Sequence, residues 1–480
     1  MSMPYRIIVG LEIHVELKTN TKMFCRCVND PFHASKPNQH VCPVCLGLPG
    51  ALPVANQEAI RKSIIVGKAL GAEIAQLSKW DRKHYFYPDL PKGYQISQFD
   101  MPLCIGGSLD LLDEKGELES TVRFERAHLE EDAGKLQHGG KEGYSRVDLN
   151  RAGVPLLEMV SLPDITSAGQ ARRVLQEMQL LVRTLDVSDG DMEKGQMRAD
   201  VNINIAFDYE GVTIKTPITE VKNVNSSRAV ERAVATESQR QYDEWMANGA
   251  IRTRTSKITA GWDEDSETVS VQRAKEGAAD YRYMPEPDLP PVRVHEVETL
   301  NPAHVVLPML PNTIRKEYLA KGIVGADIEL LFVDNNRLLH VLRTFEEGNI
   351  GAKEAAKWLI QVPGADTLKT EDLVAIIVLT TEGSVSFSAL KPHIPALVEY
   401  LKTGKEMMEF IKTNQLLQIH DDAVVQSAIE RVIKENAQAV ADFKAGNDRL
   451  LGFFVGKVMK EAVGKAQPTK VQEAVKQALQ

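Results

Sequence analysis

Three polar side chains share one apolar stretch near the start of the chain. In "RIIVGLEIHVEL" the odd positions Ile7, Val9, Leu11, Ile13, Val15 and Leu17 are apolar, whereas Glu12, His14 and Glu16 fall on even ones. In a strand, period-2 alternation sends successive side chains to opposite faces, so two carboxylates and an imidazole line the same face. Such a row is either a solvated face of an antiparallel sheet or a set of ligands for a metal or a proton. The pattern recurs. "AHLEEDAGK" places Glu130 and Glu131 consecutively, with His128 on the side of Glu130 if the stretch is extended. "GVPLLEMVSLPD" carries Glu158 in an otherwise apolar run, where a lone carboxylate is costly without a partner. "MRADVNINI" alternates Met197, Ala199, Val201, Ile203 and Ile205 with Arg198, Asp200, Asn202 and Asn204, and "ITEVKNVNS" adds Glu220, Lys222, Asn223 and Asn225. Taken singly, each strand reads as an exposed polar face. Repeated, they suit a curved antiparallel sheet with helices on one side and an oxygen-rich lining on the other, the setting of a Mg²⁺–nucleotide site.

The second chemical signal is the set Cys25, Cys27, Cys42 and Cys45, arranged C-x-C and C-x-x-C. Thiolates this close on tight turns can grip one tetrahedral Zn²⁺, and four of them leave no open position, so the metal would staple a loop and do no chemistry. His33 and His40 lie between the two pairs and could substitute as ligands, although they read more simply as surface histidines. Cys104 stands apart and reads as a small buried hydrophobe.

These residues need elements to hold them. Up to about residue 290 the pattern is β-rich with helical insertions; after "PEPDLPPVRV" the apolar spacing turns helical, and a second boundary falls near "LKTGKEM". The expected organisation is α+β: residues 1–294 as a sheet domain with an inserted four-Cys knuckle at 25–45, residues 295–404 as an all-α domain, and residues 405–480 as a small helical tail. In the tail, Val424, Val425, Ala428, Ile429, Val432 and Ile433 form one apolar stripe. The 480 residues carry a net charge of −9, so any nucleic-acid contact must be local. No apolar run approaches the roughly 18 residues of a membrane span, and the start has no leader pattern, so a cytoplasmic protein without membrane contact is expected. The sequence has no P-loop, dinucleotide-binding fingerprint, nucleophile elbow or kinase catalytic loop.

At "DRKHYFYPDLPKGYQISQFDMPL" the chain resembles a known family. With "VGLEIHVEL", "CPVCLGLPGALPVAN", "HLEEDAGK", "DLNRAGVPLLE", "MEKGQMRADVNI", "EVKNVNS" and "DYRYMPEPDL", it is similar to the B-subunits of the aspartyl/glutamyl-tRNA amidotransferases, and "NAQAVADFKAGNDRLLGFFVGKVMKEAVGKAQP" extends the likeness to the tail. The resemblance implies a glutamine-synthetase-like antiparallel cradle and a YqeY-like tail. It also implies a reaction, in which ATP phosphorylates the side-chain carboxylate of misacylated Glu-tRNA(Gln) or Asp-tRNA(Asn). Ammonia released from glutamine by the glutaminase, or A-subunit, then displaces phosphate, while a C-subunit holds the other two together.

Carried onto this sequence, the resemblance implies that Glu12, His14, Glu130, Glu131 and Glu158 ligate Mg²⁺, with Glu12, His14 and Glu131 central to catalysis. Arg198 and Lys222 are expected to offset charge on the transferring phosphoryl group, with Asp200, Asn202 and Glu220 orienting metal waters or substrate. Lys83, Tyr85, Tyr87, Lys92 and Tyr94 are expected to meet the acceptor end of the tRNA, where rings can stack on bases; loop packing is the plainer account of each tyrosine. Zinc on the four cysteines fits many, not all, family members. In the tail, Gly452, Gly456, Lys457 and Lys460 are expected on the tRNA side, tight helix packing being the alternative for the glycines. Residues 401–480 hold 12 Lys and Arg against 10 Asp and Glu, which leaves the rest of the chain acidic. The chain departs from the family pattern at Leu162, Met284, Phe454 and Lys457, none of them a proposed metal ligand. Two rival readings are an adaptor that binds tRNA without catalysis, which the retained cluster of acids disfavours, and a freestanding hydrolase, for which no nucleophile constellation exists.

Overall fold

The alternation read in residues 6–17 becomes a strand, β1 (Arg6–Glu16), at the centre of a large sheet. The computed structural model describes residues 5–138, 143–248, 256–264, 266–276, 281–333, 337–348, 350–417, 422–444, 450–461 and 468–479. Four more strands matter for the site: β2 (Leu118–Glu131), β3 (Pro155–Ser161), β4 (Met197–Tyr209) and β5 (Thr219–Val224). Their order across the sheet is β5-β4-β1-β3-β2, antiparallel at every step. Beyond β5 the strand Ser256–Asp263 pairs in parallel and is followed by Thr268–Glu276; beyond β2 lie Cys104–Ile105 and Glu73–Ile74.

One face of this sheet is fully apolar. Val9, Leu11, Ile13 and Val15 of β1 and Met197, Ala199, Val201 and Ile203 of β4 are buried there, with helices α1 (Gln57–Ala69), α2 (Ala168–Thr184) and α3 (Ser227–Asn248) supplying the other half of the core. Polar side chains set where two of these helices begin. Asn56 accepts hydrogen bonds from the amides of Glu58 and Ala59, and Ser167 accepts from Gln170 N, satisfying donors that the first helical turn leaves open. A separate small sheet joins Asp81–His84, Tyr94–Ser97 and Met284–Pro285. It brings "DRKHYFYP" beside "DYRYMPEPD", and Arg82 locks the pairing with a bidentate contact to Glu286 at 2.8 Å.

The chain divides into two compact units, Met1–Lys316 and Glu317–Gln480. A boundary at 294/295 is therefore too early. Val294 and Leu300 belong to the first core, with Val305, Leu307 and Leu310 packed against it, and Lys68 Nζ donates to the carbonyls of Pro302 and Val305. Prolines mark a change of secondary structure here, whereas burial keeps the segment with the sheet. In the second unit every described element longer than a bridge is helical. Its last part has its own core of Ala428, Ile429, Val432, Phe454, Val458, Val471, Val475 and Leu479. Of the stripe read from sequence, Ala428, Ile429 and Val432 are buried there and Ile433 packs against them, while the side chains of Val424 and Val425 lie outside the described ones. Parts of the tail motif, residues 445–449 and 462–467, lie outside the described residues. Gly452 and Gly456 of helix Leu450–Glu461 are exposed, and a Cβ at either would meet open space, so close helix packing does not account for them.

Ile13 is wholly buried whereas Val212 is 59% exposed. Ile13→Ala is expected to cost about 2–5 kcal/mol in urea unfolding of the full chain, and Val212→Ala to stay within about 0.5 kcal/mol.

Candidate functional site

Register converts the alternation of single strands into rows across the sheet. His14 lies opposite Glu158 on β3 and opposite Arg198 on β4, and Glu158 lies opposite His128 on β2. One step along, Glu12 lies opposite Asp200, and on the next step Asn202 faces Glu220 of β5. These side chains, Asn202 excepted, form the floor of a cavity of about 830 Å³ on the face away from α1, α2 and α3. Its walls come from other segments: Lys83 and Tyr85 beside the small sheet, Arg151, the stretch Met192–Gly195, and Tyr281 and Tyr283.

Two oxygen-rich groups stand on this floor, His14 with Glu130 and Glu158, and Glu12 with Asp200 and Glu220, each with donor atoms within 4.8 Å of one another. In the first, His14 Nε2 is 3.7 Å from Glu130 Oε1 and 3.5 Å from Glu158 Oε2, which also lies 3.3 Å from His128 Nε2. Burial works against the charged imidazole of His14, but the Glu158 and Glu130 carboxylates hold its pKa above the ordinary value. Burial likewise opposes the Glu158 carboxylate, and His128 and His14 overcome it and hold Glu158 well below the usual range. Glu130 goes the other way, raised by burial and then by the charge of Glu158. In the second group Asn202 Nδ2 donates to Glu12 Oε1 at 2.8 Å, while Lys222 Nζ reaches Asp200 at 3.1 Å and Glu220 at 2.9 Å.

A third cluster closes one end of the cavity. Arg198 donates both terminal nitrogens to Asp132 at 2.9 Å, and Arg151 Nε lies 3.5 Å from the same carboxylate. Burial would raise Asp132, yet the two guanidinium groups pull it down to about 2. Lys83 Nζ sits over the Tyr281 ring, 5.0 Å from its centroid; burial disfavours the ammonium, but Glu130 leads the charges that hold its pKa above the ordinary value.

The structure therefore gathers Glu12, His14, Glu130, Glu158, Arg198, Asp200, Glu220, Lys222, Lys83 and Tyr85 around one cavity, with Asn202 just behind Glu12. It does not bring Glu131 there. Consecutive residues of a strand point to opposite faces, so Glu131 turns to the other side of β2, where it pairs with Lys92 and accepts from Ile96 N at 3.0 Å. Lys92 is thereby drawn away from the cavity lining. The Arg82 guanidinium lies over the Tyr94 ring, 4.3 Å from the ring centroid, and Tyr87 is 61% exposed on the loop, outside the lining. Asp132, Arg151, Tyr281 and Tyr283 had no assigned role from sequence. Their signal was only the third acid of "LEED", an arginine in a turn, and two tyrosines in a distant motif.

Outside the cavity the four cysteines do converge. Cys45 Sγ lies 3.5 Å from Cys25, 3.8 Å from Cys27 and 3.8 Å from Cys42. Zn–S bonds near 2.3 Å in a tetrahedron put sulfurs about 3.8 Å apart, so the spacing fits a four-thiolate metal site and is far too long for disulfides. A hydrogen bond from Cys25 outweighs burial and, with the Lys22 ammonium, pulls the Cys45 thiol down to about 4. His33 turns instead to Asp30, and His40 offers its backbone carbonyl to Lys22. On the tail, Lys457 Nζ donates to Asn436 at 2.8 Å and sits 5.0 Å from the Phe453 centroid, while Lys460, like Gly452 and Gly456, is exposed. Among the described residues no helix is long and apolar enough to cross a membrane.

Comparison with known proteins agrees with this architecture. A family model described as the GatB/GatE catalytic domain matches residues 7–299, and one described as the GatB domain matches residues 361–479. The chain is 39% identical to the aspartyl/glutamyl-tRNA(Asn/Gln) amidotransferase B-subunit of Rhodopirellula baltica, over 99% of this chain and 96% of the relative. It is 40% identical to the B-subunit of Crocosphaera subtropica, over 97% and 95%, and 39% identical to that of Thermomicrobium roseum, over 100% and 99%. The sheet, the cavity that it floors and the helical tail are thus those of a member of the aspartyl/glutamyl-tRNA(Asn/Gln) amidotransferase B-subunit family, to which this chain belongs.

Proposed function

We propose that the cavity carries out ATP-dependent activation and amidation of the side-chain carboxylate on misacylated Glu-tRNA(Gln) or Asp-tRNA(Asn). The observation that carries this reading is the register that places His14, Glu130 and Glu158 beside Glu12, Asp200 and Glu220, with Arg198, Lys83 and Lys222 around them. In the first step a carboxylate oxygen attacks the γ-phosphorus and ADP leaves. In the second, ammonia attacks the acyl carbon and phosphate leaves. The glutaminase, or A-subunit, supplies the ammonia from glutamine, the C-subunit joins it to this chain, and the complex works in the cytoplasm.

His14, Glu130 and Glu158 would hold Mg²⁺, and the second group offers a further oxygen-rich position. The distances suit it, since ligands opposite each other on Mg²⁺ stand about 4.2 Å apart and adjacent ones about 3 Å. When bound, Mg²⁺ supplies Lewis-acid neutralisation of the phosphoryl oxygens. Arg198 is fixed by Asp132 and presents a guanidinium of set orientation toward the cavity, which suits a phosphate clamp. Lys222 is engaged with Asp200 and Glu220, so it reaches a phosphate only by exchanging those partners. Lys83, with Tyr85 and Tyr283 near it, is the better placed cation on the opposite wall. Tyr87, on its exposed loop, remains suited to the terminal bases of tRNA, and the exposed Lys460 with Gly452 and Gly456 to its backbone.

The full chain reconstituted with its A- and C-subunits should release γ-phosphate only with misacylated tRNA, and Glu158→Gln should lower that rate at least about a hundredfold. Parallel assays on Glu-tRNA(Gln) and Asp-tRNA(Asn) give the substrate. Wild-type protein that binds either tRNA tightly yet cleaves no ATP would overturn the reading in favour of an adaptor. Zinc on the four cysteines is a structural part of the same proposal. Purified wild-type chain should carry one zinc by elemental analysis and Cys45→Ser none; metal-free wild type that melts at the same temperature with and without added zinc would count against it.

A further inference from the structure

Lys22 is wholly buried, yet it lies outside the cavity lining. Burying an ammonium is expensive unless hydrogen bonds and opposite charge compensate. Both are present. Lys22 Nζ donates to the carbonyls of His40 at 2.7 Å and Leu149 at 3.2 Å, and it lies 3.7 Å from Cys45 Sγ. Four thiolates keep a net negative charge even around a divalent cation, so the ammonium is the complementary charge.

The two carbonyls belong to different parts of the chain. His40 is in the four-cysteine loop, and Leu149 is in the turn that precedes β3. Further bonds lace the same two segments: Asn38 Nδ2 donates to Val147 O and its Oδ1 accepts from Leu149 N, while His40 N donates to Asn150 Oδ1. That turn then continues into the end wall of the cavity. Arg151 donates to the carbonyls of Ala133 and Gly134 and faces Asp132, and Gly153 N donates to Asp132 O at 2.9 Å. Gly153 itself adopts a left-handed conformation, φ 85°, with its carbonyl accepting from Met23 N, next to Lys22.

We propose that Lys22 is a positioning residue: its buried ammonium balances the thiolates and ties the four-cysteine loop to the 148–153 turn, so that metal loading fixes Arg151 and Asp132 at the cavity wall. The catalytic part of this rests on the reaction proposed above; the metal and backbone parts do not. Lys22 acts through Leu149, Arg151 and Asp132 and touches no reacting atom.

The test uses full-length wild type, Lys22→Met and Lys22→Arg, with zinc affinity read by competition with a chromophoric chelator and amide exchange read by mass spectrometry. Lys22→Met is expected to weaken zinc about tenfold or more, and Lys22→Arg, which keeps the charge, to weaken it less. Exchange over residues 147–154 is expected to quicken in Lys22→Met and also in wild type stripped of zinc, with the amides of α2 unchanged. In the reconstituted complex, kcat for ATP cleavage should fall about tenfold with little change in KM. Zinc affinity within about twofold of wild type in Lys22→Met, or unaltered exchange at 147–154 after zinc removal, would overturn the proposal. Neither readout needs turnover, so a complex that cleaves no ATP counts against the reaction alone.

Discussion

A carboxylate in the middle of a sheet survives burial only if hydrogen-bond donors or opposite charge meet it there, and Glu158 is the residue on which that requirement falls hardest. It is flanked by two strands, and each delivers a histidine, His14 from β1 and His128 from β2. The cost of desolvating Glu158 is offset only when all three strands are in one register, because a slip by a single residue turns every partner to the other face. The same register carries Arg198 and Asp200 into place on β4. The electrostatics of the floor and the packing of the core are thus two sides of one alignment.

The walls obey a different logic. Asp132 holds Arg198 with a fork of two bonds, and Arg151 approaches the same carboxylate from a turn. A guanidinium held in that way keeps its direction and, with five N–H donors in all, has donors left over for a phosphate, although its charge is shared with Asp132. Lys22 and the four-cysteine loop extend the support outward, so the rigid floor made by strands is matched by an end wall made from loops under cross-links of several kinds.

Much of the floor was legible in the sequence because strand alternation is a local rule. Glu12 and His14, Arg198 and Asp200 are assigned to one face by counting alone, and the helical character of the second unit follows from apolar spacing. Glu131 failed for the converse reason: motif likeness treats "EE" as a unit, whereas a strand separates its two members. The 294/295 boundary failed because proline density reports local stiffness, and the burial of Val294 and Leu300 depends on a core assembled from distant residues. Asp132, Arg151, Tyr281 and Tyr283 were hidden for a related reason, since their partners come from segments that no spacing rule connects.

Strand order also has a consequence for how the chain is made. β1 precedes its two partner strands along the chain by well over a hundred residues: its residue 12 pairs with residue 160 and its residue 6 with residue 206. Until β3 and β4 have been synthesised, both edges of β1 and its apolar face of Val9, Leu11, Ile13 and Val15 have no native partner. A nascent chain in that state is exposed to aberrant strand pairing, and folding dominated by such distant contacts is slow. Formation of the centre of the sheet, where the chemistry is placed, therefore waits on segments far along the chain.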